Sequence, residues 1–221
     1  MSTSSRDTKN WYLDKEPLSL VSPGIIAFIK KRAGRRILDF GCGPGGYSAR
    51  LNDLGFDCLG ADINEQYLQK AAQLGVKTRH LTGPRLDFPD EYFDTTIMVE
   101  VLEHLDDPAA AVAEAARVTK KNVLVTVPNC RRLDKLRAAG VVFEHLLELD
   151  HRQQFTPELL RALLTPYFAR VNVSEREMID SGLLQVILPP LFSLPLSLLY
   201  GLRLIPARFS FRIMAEGRFD G

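Results

Sequence analysis

The chain has 221 residues, 46% of them hydrophobic, with 28 basic side chains against 27 acidic ones. That length and composition suit one globular domain with a well-buried core, and a net charge of +1 gives no electrostatic reason to expect nucleic acid. The three cysteines, Cys42, Cys58 and Cys130, are odd in number and scattered, which argues against a disulfide framework or a zinc site and suits a reducing compartment.

Along the chain, the opening "MSTSSRDTKN" is polar and lacks the apolar core of a signal peptide, so the cytoplasm is the expected location. Residues 1–34 read as an N-terminal helical cover. From Arg35 short apolar strands alternate with helical patterns. "RRILDFGC" predicts a strand and "GYSARLNDLG" a helix closed by Gly55. "DCLGADI" predicts a second strand, followed by a helix through "EQYLQKAAQLG". "KTRHL" and "YFDTTIMV" supply a third and a fourth strand. "DPAAAVAEAARVT" is a helix with Pro108 in its first turn, and "NVLVTVPN" is a fifth strand. Strands that read as continuous apolar runs between helices indicate a parallel sheet covered on both faces. The expected fold is therefore α/β: a doubly wound, Rossmann-like sheet flanked by helices.

After the fifth strand, residues 131–155 read as an insertion into a core of residues 35–178. A helix then opens at "FTPELLRALL", with Thr156 as N-cap and Pro157 at its first position. Residues 179–221 read as an apolar C-terminal extension of the single domain. Within it, Leu183 to Leu202 carry no formal charge over twenty residues. That length fits a bilayer span, but Pro189, Pro190 and Pro195 interrupt helical hydrogen bonding, so a broken apolar segment is expected instead. Arg203, Arg208 and Arg212 follow it. Residues 183–212 would accordingly make peripheral contact with an anionic membrane surface on the inner face, or else pack over the sheet or against a second copy.

The chemistry-bearing motifs fall where a sheet of this kind collects ligands, beyond the carboxyl ends of its strands. In "ILDFGCGPGG", Gly41, Gly43 and Gly46 reproduce the G-x-G-x-x-G spacing, which lets backbone approach a nucleotide closely. The second strand ends "LGADIN" and places Asp62 about twenty residues on, where an acid accepts hydrogen bonds from a ribose. Beyond the fourth strand, "VEVLEHLDDP" sets Glu100, Glu103 and His104 at i, i+3 and i+4. If a helical turn follows, they share one face, and carboxylates with imidazole suit a divalent metal. His151, in "LELDHRQQFT", is the candidate fourth ligand.

"LDFGCGPGGYS", "GADIN", "FPDEYFDTTIMVEVLEHLDDP" and "VLVTVPN", in that order, resemble class I S-adenosylmethionine-dependent methyltransferases, closely over Arg35–Asn129 and loosely to Val173. The resemblance implies S-adenosylmethionine as cofactor, held by Asp39, Gly41, Cys42, Gly43, Asp62, Ile63, Thr82, Gly83 and Glu100. Gly41 and Gly43 would line its methionine end and Asp62 its ribose. Thr82 stands where the family usually carries an aspartate near adenine, which leaves that contact to backbone groups of residues 81–83.

The E-x-x-E-H pattern with a later histidine resembles the ubiquinone-pathway O-methyltransferases and the small-RNA 3′-terminal 2′-O-methyltransferases. Both imply Mg²⁺ or another divalent ion on Glu100, Glu103, His104 and His151. In relatives with no known metal the glutamate touches the cofactor instead, and His104, His145 or His151 would act as general base. The expected acceptor is a small or lipid-linked hydroxyl compound; an RNA 3′ end, a non-catalytic cofactor-binding partner subunit and a nicotinamide dehydrogenase are the alternatives.

Overall fold

The computed structural model describes residues 13–83, 85–131, 151–178 and 210–220. The expectations for His145, for the apolar stretch 183–202 and for Arg203 and Arg208 lie outside them. A 3-10 turn at Pro17–Leu20 leads into α1 (Pro23–Lys30). Then come β1 (Arg36–Phe40), α2 (Gly46–Asp53), β2 (Asp57–Asp62), α3 (Glu65–Gln73), β3 (Lys77–His80) and β4 (Phe93–Val99). A second 3-10 turn, Leu102–His104, precedes α4 (Pro108–Arg117), β5 (Thr119–Pro128), α5 (Pro157–Leu164), β6 (Arg170–Met178) and β7 (Ser210–Arg218).

The helices begin and end on local chemistry. Asn64 accepts from the backbone N–H groups of Gln66 and Tyr67, Asp107 from Ala110, and Thr156 from Leu159, with Pro108 and Pro157 in the first turns. Gly55 and Gly75 follow α2 and α3 with φ of 89° and 78°, the left-handed position that closes a helix.

The strands form one seven-stranded sheet in the order β3-β2-β1-β4-β5-β7-β6. Strands β1 to β5 pair in parallel, while β7 runs antiparallel to both β5 and β6. Residues 210–218, assigned from sequence to an apolar extension, are thus an internal strand of the sheet. Alternation along the strands divides the core between two faces. Ile37, Ile97 and Leu124 meet Ile25, Ile29 and Leu51 from α1 and α2. On the other face Met98, Val123 and Val125 meet Val112, Leu160 and Leu164 from α4 and α5. Full burial of a side chain such as Ile97 contributes about 1.5–3 kcal/mol.

At the amino ends of the parallel strands the buried polar groups satisfy one another. Thr95 Oγ1 accepts from the Gly34 N–H and donates to Asn122 Oδ1 at 2.7 Å. Asn122 Nδ2 donates to Glu216 Oε1 at 2.8 Å and to the Arg32 carbonyl, while Arg32 pairs with Glu216 at 3.4 Å. At the opposite end Asn129 ties the last residues of β5 to the outer strands, donating to Glu175 and to Ser210. Among the described residues no helix is long and apolar enough to cross a membrane.

Candidate active site

The site lies at the carboxyl ends of β1 to β5. After β1 the chain turns through the glycine loop, where the N–H groups of Gly41 and Cys42 donate to the Ala61 carbonyl at 2.8 and 3.0 Å. Gly41 has φ +78°, and a Cβ there would lie 2.6 Å from Val101 Cγ2. Only glycine lets this loop close on the chain leaving β4. Gly43 has φ +53° and an added Cβ would meet nothing within 4 Å, so this part of the loop faces open space.

Two carboxylates underpin the loop. Asp39 is buried and accepts from Ser48 Oγ at 2.6 Å. Burial pushes its carboxyl up to about 7, against the opposing Ser48 hydrogen bond. Asp62 accepts from the Gly43 N–H at 2.8 Å and from the Asn64 N–H at 2.9 Å. Burial raises its pKa as well, and those N–H groups pull it back. The Cys42 and Cys58 thiols are pushed well above their ordinary range by burial, which leaves them protonated and inert as nucleophiles.

Two cavities meet across the loop. One, of about 690 Å³, is lined by Asp62, Ile63, His80, Leu81, Val101 and Leu105. The other, of about 340 Å³, is lined by Asp39, Tyr47, Glu103, His151, Lys15 and Arg212, with Cys42 in its wall. Gly41, Gly43, Glu100 and His104 border both. Thr82 and Gly83 are exposed and stand outside both linings; His80 and Leu81 take the place along the first cavity that the sequence reading gave to residues 81–83.

The turn after β4 departs from the helical face expected of "EVLEH". Glu100 has φ +54°, and the 3-10 turn begins only at Leu102. The Glu100 carboxylate is engaged by other strands: its Oε1 accepts from Thr126 Oγ1 at 2.8 Å and from Arg212 Nε at 3.0 Å. Glu103 is 1% exposed, and its carbonyl accepts from the N–H groups of Arg152 and Gln153, which brings His151 alongside. The His104 and His151 rings stand 4.8 Å apart, tilted by 67°. Glu103, His104 and His151 each offer one ligand atom, all within 4.8 Å of one another. Glu100, expected from the sequence among the four ligands, is not in that group.

Lys15, Tyr47 and His80 also line the site, and nothing in their local sequence patterns marks them. Sequence reading directed Arg212 towards a membrane surface. In the structure Arg212 stands within β7 and forms an ion pair with Glu100.

Residues 38–127 match the model of a methyltransferase domain family. The chain is 35% identical to the ubiquinone biosynthesis O-methyltransferase of Hahella chejuensis over 122 residues, 50% of this chain and 51% of that protein. It is 33% identical to the corresponding protein of Methylococcus capsulatus over 146 residues, 61% and 62% of the two chains. The matches therefore span between half and two thirds of these relatives. Among solved structures, an S-adenosylmethionine-dependent methyltransferase of Thermotoga maritima described as a possible histamine N-methyltransferase superposes with TM-score 0.65. It has 19% identity and covers 96% of this chain and 94% of that one. The magnesium protoporphyrin IX methyltransferase of Synechocystis with bound S-adenosylhomocysteine gives TM-score 0.59 at 18% identity, covering 89% and 81%. At such identities these likenesses speak to the fold.

Proposed function

We propose that the chain is a class I S-adenosylmethionine-dependent methyltransferase that methylates a hydroxyl oxygen of a small or lipid-linked acceptor, a reading supported by the methyltransferase-domain match over residues 38–127 and by the likeness to ubiquinone biosynthesis O-methyltransferases. The observation that carries this reading is the convergence of Glu103, His104 and His151 in the cavity that adjoins the glycine loop. Asp62 would hold the ribose of S-adenosylmethionine and Gly41 and Gly43 its amino-acid end, and both glycines line the same cavity as that cluster. The modest likeness to ubiquinone biosynthesis O-methyltransferases supports oxygen as the atom methylated.

The reaction asks little covalent chemistry of the protein. The methyl–sulfur bond breaks as the methyl–oxygen bond forms, S-adenosylhomocysteine leaves, and the hydroxyl proton must go to a base. Alignment of donor and acceptor and one proton transfer are the protein's tasks. The imidazoles of His104 and His151 supply the proton acceptor, and Glu103 lies buried beside them. One carboxylate and two imidazoles also fit a divalent cation, and Glu103, His104 and His151 would hold it. When bound, such an ion polarises a hydroxyl and lowers its pKa.

Calorimetric titration tests this reading. The protein should bind S-adenosylhomocysteine, and a separate Mg²⁺ or Mn²⁺ signal should disappear in Glu103→Ala and in His151→Ala. Methyl transfer to a panel of phenols and lipid-linked phenols should fall in the same variants. Ligand binding without any metal signal would leave the imidazole pair as the base. No ligand binding at all would sink the reading.

A further inference from the structure

Glu91 and Glu100 are the described non-glycine residues with positive φ, and Glu100 lies between the two cavities of the site. A non-glycine residue in this conformation costs free energy unless its surroundings hold it there. The restraint on Glu100 comes from two other strands. Its N–H donates to the Thr126 carbonyl at 3.0 Å, and its Oε1 takes both the Thr126 hydroxyl and Arg212 Nε. Arg212 lies 112 positions further along the chain. Its side chain is 18% exposed and that of Glu100 24%, so water screens the pair only in part. The residue that follows, Val101, packs against the Cα of Gly41. The next turn carries Glu103 and His104.

We propose that Arg212 is a positioning residue for methyl transfer: by bracing Glu100 in its left-handed conformation it sets the direction of the turn that presents Glu103 and His104 to His151. This rests on the methyltransferase reading and adds to it a residue from the last strand of the sheet. Without the brace, Glu100 relaxes towards negative φ. Val101 then shifts against the glycine loop, and the Glu103–His104 turn swings away from His151.

The test uses the full chain and two readouts, S-adenosylhomocysteine affinity by calorimetry and the imidazole NMR signals of His104 and His151. Arg212→Met keeps an unbranched stem as far as the position of Nε and removes the guanidinium and its charge. It should weaken affinity roughly tenfold, the scale of losing support for one strained residue, and shift both imidazole signals together. Arg212→Lys should fall between wild type and Arg212→Met. Glycine adopts positive φ without strain, so adding Glu100→Gly to Arg212→Met should recover most of the lost affinity and return the imidazole signals. Should Arg212→Met fail to fold, Thr126→Val loosens the same brace and should give a smaller change of the same kind. Glu100→Gly alone measures what the carboxylate itself contributes to binding; a double variant that binds clearly more weakly than Glu100→Gly alone would overturn the proposal. Unchanged affinity and unchanged imidazole signals in Arg212→Met would overturn it too. Failure of the wild-type protein to bind S-adenosylhomocysteine would strike the methyltransferase reading itself.

Discussion

The two ends of the sheet bury polar groups to opposite purposes. At the amino ends of the parallel strands, Thr95, Asn122, Glu216 and Arg32 consume one another's hydrogen-bonding capacity. At the carboxyl ends, Asp39, Asp62, Glu103, His104 and His151 are gathered around two cavities. Desolvating a polar group costs free energy at either end. The closed network returns that cost as a fixed join between β4, β5, β7 and the tail of α1. The other cluster stands beside space in which a ligand fits. Burial alone therefore does not mark a functional site; the presence of space beside the buried group does.

The contrast can be broken most heavily at the closed end. Asn122→Leu removes the centre of the network and strands the Thr95 hydroxyl and part of the Glu216 carboxylate. It should lower stability by about 3 kcal/mol, read from chemical denaturation, with S-adenosylhomocysteine affinity in the folded protein unchanged. A large loss of affinity would show that the two ends are not independent.

A pH titration of stability sharpens the open end. The Asp39 carboxyl is raised to about 7 by burial from an ordinary value near 3.8. Between those values the folded protein holds a proton that the unfolded chain has lost, so stability falls as pH rises through that window. The slope is at most about 1.4 kcal/mol per pH unit. Asp39→Asn, which keeps a side-chain oxygen for Ser48, should flatten it. An equally steep slope in that variant would move the effect to another group.

The smallest effect is a matched pair of glycines. Gly43 and Gly55 both have positive φ, and an added Cβ meets no atom within 4 Å at either. Alanine at either position should cost about 1 kcal/mol of stability. Only Gly43→Ala should also weaken S-adenosylhomocysteine binding, because only its Cβ enters the space beside the cavities. Equal affinity in both variants would place the ligand away from the glycine loop.

What was legible in the sequence follows the same division between near and far. Strands β1 and β5 announce themselves because both of their faces are covered, which makes "RILDF" and "NVLVTVP" almost continuously apolar. "RVNVSEREM" and "SFRIMAEGR" do not. β6 is an edge strand with polar residues along it, and β7 runs antiparallel and carries the buried Glu216. The glycine loop and Asp62 could be placed from local spacing. Glu103, His104 and His151 could be chosen by residue type, although nothing local brings His151 beside His104. The direction of Glu100 was misjudged because i, i+3, i+4 spacing assumes a helix. A hydroxyl on β5 and a guanidinium on β7 decide its backbone instead.

The position of β7 also orders events in time. It lies between β5 and β6, so among the described residues β6 has no neighbouring strand until residues 210–218 arrive. During synthesis, β1 to β5 can assemble while later residues are still being added, but the β6 edge must wait for a strand whose pairing with β5 joins residues as distant as Asn122 and Arg218. Such distant pairing is slow to form. The newly made chain therefore passes through a stage in which the glycine loop is already built and the arginine that pairs with Glu100 is not.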